Sequence, residues 1–295
     1  MFAETQYDLR LNTQQSHWRM GILALLFILL YVPLYPSLVE TWLNDSNNSH
    51  GLLIPAVSLY LVWLLSPRLK GLEWRTSMAG LVLLVLSLIM YFLSFVGDLA
   101  FPARMTMVTT LAGLVLFNYG KHVLHVVVFP IVFLFFMVPV PITLLNLVGF
   151  PLQLFVSDMS ARLIGLCGIP VYADGNLLQF ARYSFEVTSA CSGIRSLVSF
   201  LAIGTLFAYI ERAVWWKSVF LVLSTVPLAI FVNLLRVAGT AILANYFGSG
   251  VARGFLHDFS GLVVFGSGIL LMVVELWILN KIHFTSRRSE RGAVW

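Results

Sequence analysis

Three side chains that can support nucleophilic catalysis lie where apolar runs meet polar loops: Cys191, Arg236 and His257. A nearby cation lowers the pKa of a thiol and so raises the fraction present as the nucleophilic thiolate. Histidine can carry a proton to a leaving amine, and arginine, which keeps its charge, can stabilise an oxyanion or hold a substrate. These residue types indicate acyl transfer through a cysteine, provided that the fold brings them together.

Each of the three also has a structural interpretation. Cys191 could be a small packing residue at the start of a helix, and His257 could be a neighbour of a helix N-cap. Arg236 could extend its guanidinium to phosphate headgroups at the membrane surface. Residue types alone leave both interpretations open, and the elements that carry these residues decide between them.

The composition excludes a soluble globular domain. Hydrophobic residues make up 59% of the 295 residues and charged residues 11%, whereas soluble domains carry about 25% charged residues. Several apolar runs reach or approach the roughly 20 residues that cross the hydrocarbon core as a helix. They are apolar on all sides, which disfavours the alternating strands of a β-barrel. The sequence therefore predicts an all-α polytopic membrane protein, with residues 1–295 forming a single integral membrane domain.

About eight transmembrane helices are predicted, within a transmembrane core at 18–282 that precedes a basic tail at 283–295. An insert at 139–190 separates the fifth span from the sixth. In it, residues 146–166 are predicted to form an amphipathic helix at the membrane surface. The Asp-Gly-Asn sequence predicts the turn of a small hairpin within 169–188. The predicted spans are 20–35, 51–65, 78–96, 105–117, 123–138, 194–209, 218–235 and 259–279.

The basic residues predict the orientation of these spans. With both termini in the cytoplasm, every inner segment carries a basic residue, as the positive-inside rule requires. The insert and all three candidate catalytic residues then face the outer side. The chain has a net charge of +5, but its basic residues are thinly spread beside apolar segments, so nucleic acid is not an expected partner. The inner set contains twelve of the 18 basic residues: Arg10, Arg19, Arg68, Lys70, Arg75, Lys121, Arg212, Lys217, Lys281, Arg287, Arg288 and Arg291.

The two cysteines, Cys167 and Cys191, indicate no metal site. Neither belongs to a C-x-x-C pair, which disfavours zinc or iron–sulfur binding, and no other cofactor is expected. A disulfide between them is possible if both face an oxidising compartment.

Four segments resemble the signature blocks of the exosortase/archaeosortase family. Three contain the candidate catalytic residues: EVTSACSGIRSL around Cys191, NLLRVAGTAILA around Arg236 and HDFSGLVVF at His257. The fourth, SHGLLIPAVSLYLVW from Ser49, is similar to the N-terminal block of that family. The blocks occur in the family's order, and the similarity extends over about residues 20–280.

The resemblance implies a cysteine protease and transpeptidase of the cytoplasmic (inner) membrane, with its active site facing the periplasm or outside. It implies Cys191 as nucleophile, completed by Arg236 and His257. The expected substrates are secreted proteins ending in a PEP-CTERM-like tail, which consists of a short motif, a transmembrane helix and a basic cluster. Cleavage through a Cys acyl-enzyme would accompany exopolysaccharide production. The alternative is a non-enzymatic membrane component, or a transporter, of an exopolysaccharide secretion system.

Four further residues are candidates for substrate binding. Arg195 is expected one helical turn beyond Cys191 on the same face, where it could tune the thiol or bind a carboxylate. Glu186 could pair with an arginine, and Asp258 could orient the neighbouring histidine or cap its helix. His50 belongs to the N-terminal block and is expected to be structural or to contact substrate.

Overall fold

The chain folds into two compact units, Met1–Val140 and Pro141–Trp295. The structure is a computed structural model that describes residues 18, 20–45, 47–181, 184–187, 193–211, 214–247 and 255–281. Of residues 255–260 and 262 it describes the backbone only.

The predicted all-α polytopic membrane fold is confirmed. Among the described residues, seven helices are long and apolar enough to cross a membrane, and one shorter apolar helix accompanies them. We label the helices in chain order: α1 Met20–Asn44, α2 Leu53–Leu69, α3 Met78–Val96, α4 Ala100–Phe133, α5 Ile142–Leu166, α6 Ile194–Ile210, α7 Trp215–Phe247 and α8 Phe255–Lys281.

Helix α1 extends beyond the predicted first span, which ended at residue 35. A 3-10 turn at Val32–Leu34 joins its first part to a second α-helical part at Tyr35–Asn44. Each of these two segments has a proline at one of its first two positions. Proline is tolerated there because the first N–H groups of a helix have no intrahelical acceptor. The two prolines therefore do not interrupt the helix, and part of the predicted outer loop is helical.

Helix α4 and the 3-10 extension that follows it, Leu134–Met137, correspond to two of the predicted spans. Gly120, at φ +82°, breaks α4 into two parts, and a side chain at this position would collide with the backbone carbonyl of Arg75. The start of α4 and the end of its 3-10 extension both lie against α1. Arg104 Nη2 donates to Ser37 Oγ at 3.2 Å, and the Trp42 indole donates to Met137 O at 2.9 Å. The two halves therefore run antiparallel, as expected for separate spans at 105–117 and 123–138.

In the second unit, α5 leads into a small antiparallel sheet. Its strands are β1 Val171–Asp174, β2 Leu177–Phe180 and β3 Ser184–Glu186, in the order β1-β2-β3. Asp174 pairs with Leu177 across a two-residue turn. Gly175, at φ +60°, suits the first position of such a turn because glycine accepts positive φ. The predicted hairpin is confirmed, with β3 as an additional strand.

Helix α5 begins four residues before its predicted start. One face is buried and contains Gln153, Val156 and Ile164, while Asp158 and Arg162 form an ion pair of 2.9 Å on the exposed face. At 25 residues, α5 is also long and apolar enough to cross a membrane. Its predicted location at the membrane surface stays a prediction.

Helices α6, α7 and α8 form an antiparallel bundle. Phe200, Ala229 and Met272 pack together in one cluster, and Ala208, Leu221 and Leu279 pack in a second. The order of these positions along each helix shows that α6 and α8 run parallel to each other and opposite to α7. The C-terminal end of α7 and the N-terminal ends of α6 and α8 are therefore at the same end of the bundle.

Candidate active site

The three residues of the predicted triad are described to different extents. Arg236 is half-buried in α7. Cys191 lies outside the described residues, whereas both segments adjoining it are described. His257 and Asp258 lie in the first turn of α8, where only the backbone is described. The described parts of the site are therefore the side chain of Arg236, the backbone position of His257 along α8 and the two segments on either side of Cys191.

Before Cys191, the last described residue is Val187, which is fully buried. It packs in one hydrophobic cluster with Val237 and Ala238 of α7, the residues that directly follow Arg236. Its backbone N–H donates to Asn176 O at 2.8 Å, and its carbonyl accepts from Gln153 Nε2 of α5. The chain is thus held against α7 four residues before the cysteine.

After Cys191, the first described residue is Gly193, which is buried and has φ +84°. A Cβ added there would lie 2.9 Å from Nδ2 and 3.0 Å from Cγ of Asn233. Asn233 is fully buried in α7 and precedes Arg236 by about one helical turn. The chain is therefore in close contact with α7 on the other side of Arg236 as well.

These contacts place the described residues Val187 and Gly193 against α7 on the two sides of Arg236. Arg236 is three residues beyond Asn233, about 4.5 Å along α7 in the direction of the N-terminal end of α6. Arg236 is therefore close in height to Gly193, the first described residue after Cys191.

The position of His257 follows from the packing of α8 on α6. Gly268 of α8 lies against the ring of Phe200, where a Cβ would collide with that ring. Since Phe200 follows Gly193 by seven residues on the parallel helix α6, Gly261 is at about the height of Gly193. His257 is a further turn, about 6 Å, towards the same end. Arg236 and the backbone position of His257 therefore lie at one end of the bundle, the end at which the described chain resumes at Gly193.

Helix α7 does not end at residue 235, the predicted end of its span. It continues for about three turns beyond Arg236 to Phe247, and the alanine-rich segment after Arg236 packs against α5 and the sheet. One prediction about these residues needs correction. Arg195 was expected to share a helical face with Cys191. Helix α6 begins only at Ile194, and the left-handed backbone of Gly193 interrupts helical geometry between the two residues.

The other two predicted substrate-binding residues have described surroundings. Glu186, at the end of β3, is exposed and accepts a hydrogen bond from Asn176 Nδ2 at 3.3 Å. His50 belongs to the first unit, in a 3-10 turn at Ser49–Leu52. Its Nδ1 is buried and has no hydrogen-bond partner among the described residues. The adjacent Gly51 lies against the Trp42 ring, which leaves no room there for a side chain.

Comparison with known families decides the identity of the chain. The family model described as transmembrane exosortase matches residues 42–274, well over half of the chain. The chain belongs to the transmembrane exosortase family. The match spans the four sequence blocks that suggested the family, together with the sheet and α5. Comparisons with curated proteins and with solved structures gave no match.

Three residues of this exosortase were missed as parts of the site: Gln153, Gly193 and Asn233. The signal for the two amides was a polar side chain within a long apolar helix, since such a group is costly to bury without a partner. For Gly193 the signal was a glycine directly before an apolar helix, where a left-handed residue often starts or ends an element. The described parts of this exosortase contain no group of three metal-ligating side chains.

Proposed function

We propose that this exosortase is a membrane cysteine protease and transpeptidase that cleaves the C-terminal sorting tails of secreted proteins. The substrate tail would carry a PEP-CTERM-like motif, a transmembrane helix and a basic cluster. Cys191 is the nucleophile, Arg236 stabilises charge and His257 transfers the proton. The site faces the periplasmic side of the inner membrane.

The reaction proceeds through a thioester. The Cys191 thiolate adds to the carbonyl carbon of the scissile peptide bond, and the Arg236 guanidinium stabilises the negative charge that develops on the carbonyl oxygen. The intermediate then collapses, the C–N bond breaks, and His257 gives a proton to the departing amine of the tail. A nucleophile at the cell surface, either an amine or water, then attacks the thioester and regenerates the thiol.

The observation that carries this proposal is the attachment of the chain to α7 on both sides of Cys191. Val187 is buried beside Val237, and Gly193 is in close contact with Asn233. Arg236 lies between these two α7 positions in sequence. A nearby cation raises the reactivity of a thiol, so attachment of the chain to α7 at Val187 and Gly193, on the two sides of Arg236, supports a catalytic role for Cys191 and Arg236.

The length of α7 agrees with a site at the membrane surface. Arg236 lies about 21 residues after Trp215, which corresponds to roughly 30 Å of helix, or one hydrocarbon thickness. The exposed apolar side chains Phe220, Leu223 and Phe231 lie within that length. A substrate helix in the lipid would present the residues outside its own membrane segment at the same depth. The remaining part of α7, up to Phe247, packs through Ala238 and Ala241 against the cluster that contains the sheet.

The test is co-expression with a tagged substrate that carries such a tail. We expect Cys191→Ala to leave the substrate at full length, and Arg236→Ala and His257→Ala to reduce processing strongly. Cys167→Ala is the matched control, because Cys167 is a free, exposed cysteine at the end of α5, and it should process normally. Normal processing by Cys191→Ala would contradict the protease proposal and favour a non-enzymatic role. Loss of processing in both cysteine variants would instead favour a disulfide.

A further inference from the structure

The carbonyl of Val187 is the acceptor for a buried side-chain amide. Gln153 of α5 is 7% exposed, and its Nε2 donates to that carbonyl. Asn176 adds a longer contact, from its side-chain Nδ2 to the same oxygen at 3.4 Å. The backbone carbonyl of Asn176 accepts the Val187 N–H at 2.8 Å. Both backbone polar groups of the last described residue before the Cys191 segment are thus bonded.

Gln153 is unusual for its position in α5. It lies on the face that packs against the sheet and α7, next to Gly149, Val156 and Ser157. A buried amide without a partner is strongly unfavourable, whereas one that is bonded fixes the geometry of both groups. An apolar side chain of similar size would fill the same space. The amide therefore has a specific consequence, which is to fix the direction of the Val187 carbonyl.

A second buried amide lies at the other end of the same segment. Asn233 is fully buried in α7, and its Nδ2 and Cγ would lie 2.9 and 3.0 Å from a Cβ added to Gly193. Gly193 has φ +84°, a backbone conformation that only glycine adopts without strain. The Asn233 side chain thus occupies the space that the Cβ of any other residue at position 193 would need.

We propose that Gln153 and Asn233 are positioning residues for Cys191, because they fix Val187 and Gly193, the described residues on either side of the Cys191 segment. Gln153 acts through the Val187 carbonyl, and Asn233 acts through Gly193. This inference rests on the proposed catalytic role of Cys191. Neither amide needs to touch the substrate, because a displacement of about 1 Å at a nucleophile is enough to reduce turnover strongly.

The inference predicts a specific effect on the thiol. If either amide is replaced, Cys191 moves away from the cation that keeps it ionised, and its reactivity towards alkylating agents should fall at neutral pH. A change of one pKa unit corresponds to about a tenfold change in the thiolate fraction. We therefore expect about tenfold slower alkylation near pH 7, and equal rates for variant and parent at a pH well above the ordinary thiol pKa.

The experiment uses the full-length protein with Cys167→Ser, which leaves Cys191 as the single cysteine of the chain. In membranes of this background, the alkylation rate is measured between pH 5 and 10 for Gln153→Met and Asn233→Leu, which keep the side-chain volume and remove the amide. The matched control for the first variant is Gln179→Met, since Gln179 is exposed on β2. The control for the second is Asn118→Leu, in α4 of the first unit.

The expected result is a shift of the alkylation profile to higher pH in the two test variants only. Processing of the tagged substrate should show a lower kcat with little change in KM. If Gln153→Met and Asn233→Leu match their controls in both measurements, the positioning role is contradicted, even if Cys191→Ala is inactive. If Cys191→Ala processes the substrate normally, it is the proposed function that fails. A variant that does not reach the membrane is replaced by Asn176→Ala, which removes a weaker contact to the same carbonyl and should give a smaller shift in the same direction.

Discussion

Replacing Gly193 with alanine should impair substrate processing far more than it impairs folding. Two effects act at this position. The backbone has φ +84°, which costs a residue with a Cβ about 1–2 kcal/mol. The added Cβ would also lie 2.9 Å from Asn233 Nδ2, well inside the separation of about 3.5–4.0 Å at which carbon atoms pack. Overpacking of this kind costs about 1–3 kcal/mol.

We take about 2–3 kcal/mol as the combined strain, the lower half of the summed range, because the chain can relax. The cheapest relaxation moves the start of α6 away from α7, since α7 is held along its length by the packing of Leu221, Ala229 and Val237. Under the proposed function, that movement would take Cys191 away from Arg236. If the strain appears in the transition state for acylation, 2–3 kcal/mol corresponds to roughly 30- to 150-fold slower processing.

Two other glycines allow the effect of the left-handed backbone to be separated from the effect of the close contact with Asn233. Gly168 also has a left-handed backbone, φ +80°, but an added Cβ would meet nothing within 4 Å. Gly165, in the last turn of α5, has open space and no positive φ. The assay is the rate of tail cleavage in membranes at equal amounts of enzyme, together with the melting temperature of each purified variant. Gly168→Ala should lose some stability and keep its cleavage rate, and Gly165→Ala should change neither. Equal cleavage rates for Gly193→Ala and Gly168→Ala would refute the reasoning.

Three further predictions concern other parts of the fold. Gly120→Ala should prevent stable accumulation in the membrane, because the added Cβ would overlap a backbone carbonyl. The control Gly71→Ala, at φ +94° in open space, should accumulate. Equal amounts of the two variants on an immunoblot would contradict the turn within α4. Val187→Ala should cost about 2 kcal/mol of stability through lost burial and should slow cleavage; an unchanged melting temperature would argue against its buried position. In a Cys191→Ala protein, a membrane-impermeant maleimide added from outside should label Cys167, which is exposed; labelling from the cytoplasmic side alone would mean that α5 crosses the membrane.

The membrane fold could be predicted from the sequence because apolar length is a direct physical requirement. Residues 78–96 are predicted as a span and form α3 over the same residues. The predicted start of the sixth span at 194 coincides with the start of α6, where Gly193 has positive φ. Turn chemistry was equally informative at Gly175, since a two-residue turn needs positive φ.

The ends of long helices could not be predicted in the same way. Helix α7 continues beyond Arg236 to Phe247 because Val237, Ala238 and Ala241 pack against α5 and the sheet. This packing depends on residues about 50–85 positions earlier in the chain, and local hydropathy contains no information about it. The break of α4 at Gly120 was predicted only as a gap between two spans. The backbone there has φ +82°, nearly the same left-handed conformation as Gly193.

The candidate site shows the same division between local and non-local information. Residue type and orientation singled out Cys191, Arg236 and His257 as residues of one face. The contributions of Gln153 and Asn233 depend on pairing with Val187 and Gly193, which brings three separate segments together. Charge counting predicts the side of the membrane on which a residue lies but does not predict its neighbours.

The most direct test of the central claim is the capture of the acyl-enzyme. Membranes containing the enzyme and a tail-bearing substrate would be quenched in acid, digested and analysed by mass spectrometry, with and without hydroxylamine. The account predicts the cleaved carboxyl end of the substrate attached through a hydroxylamine-sensitive thioester to the peptide containing Cys191, and no such adduct in Cys191→Ala. Continued cleavage by Cys191→Ala, or an adduct on a different residue, would contradict it.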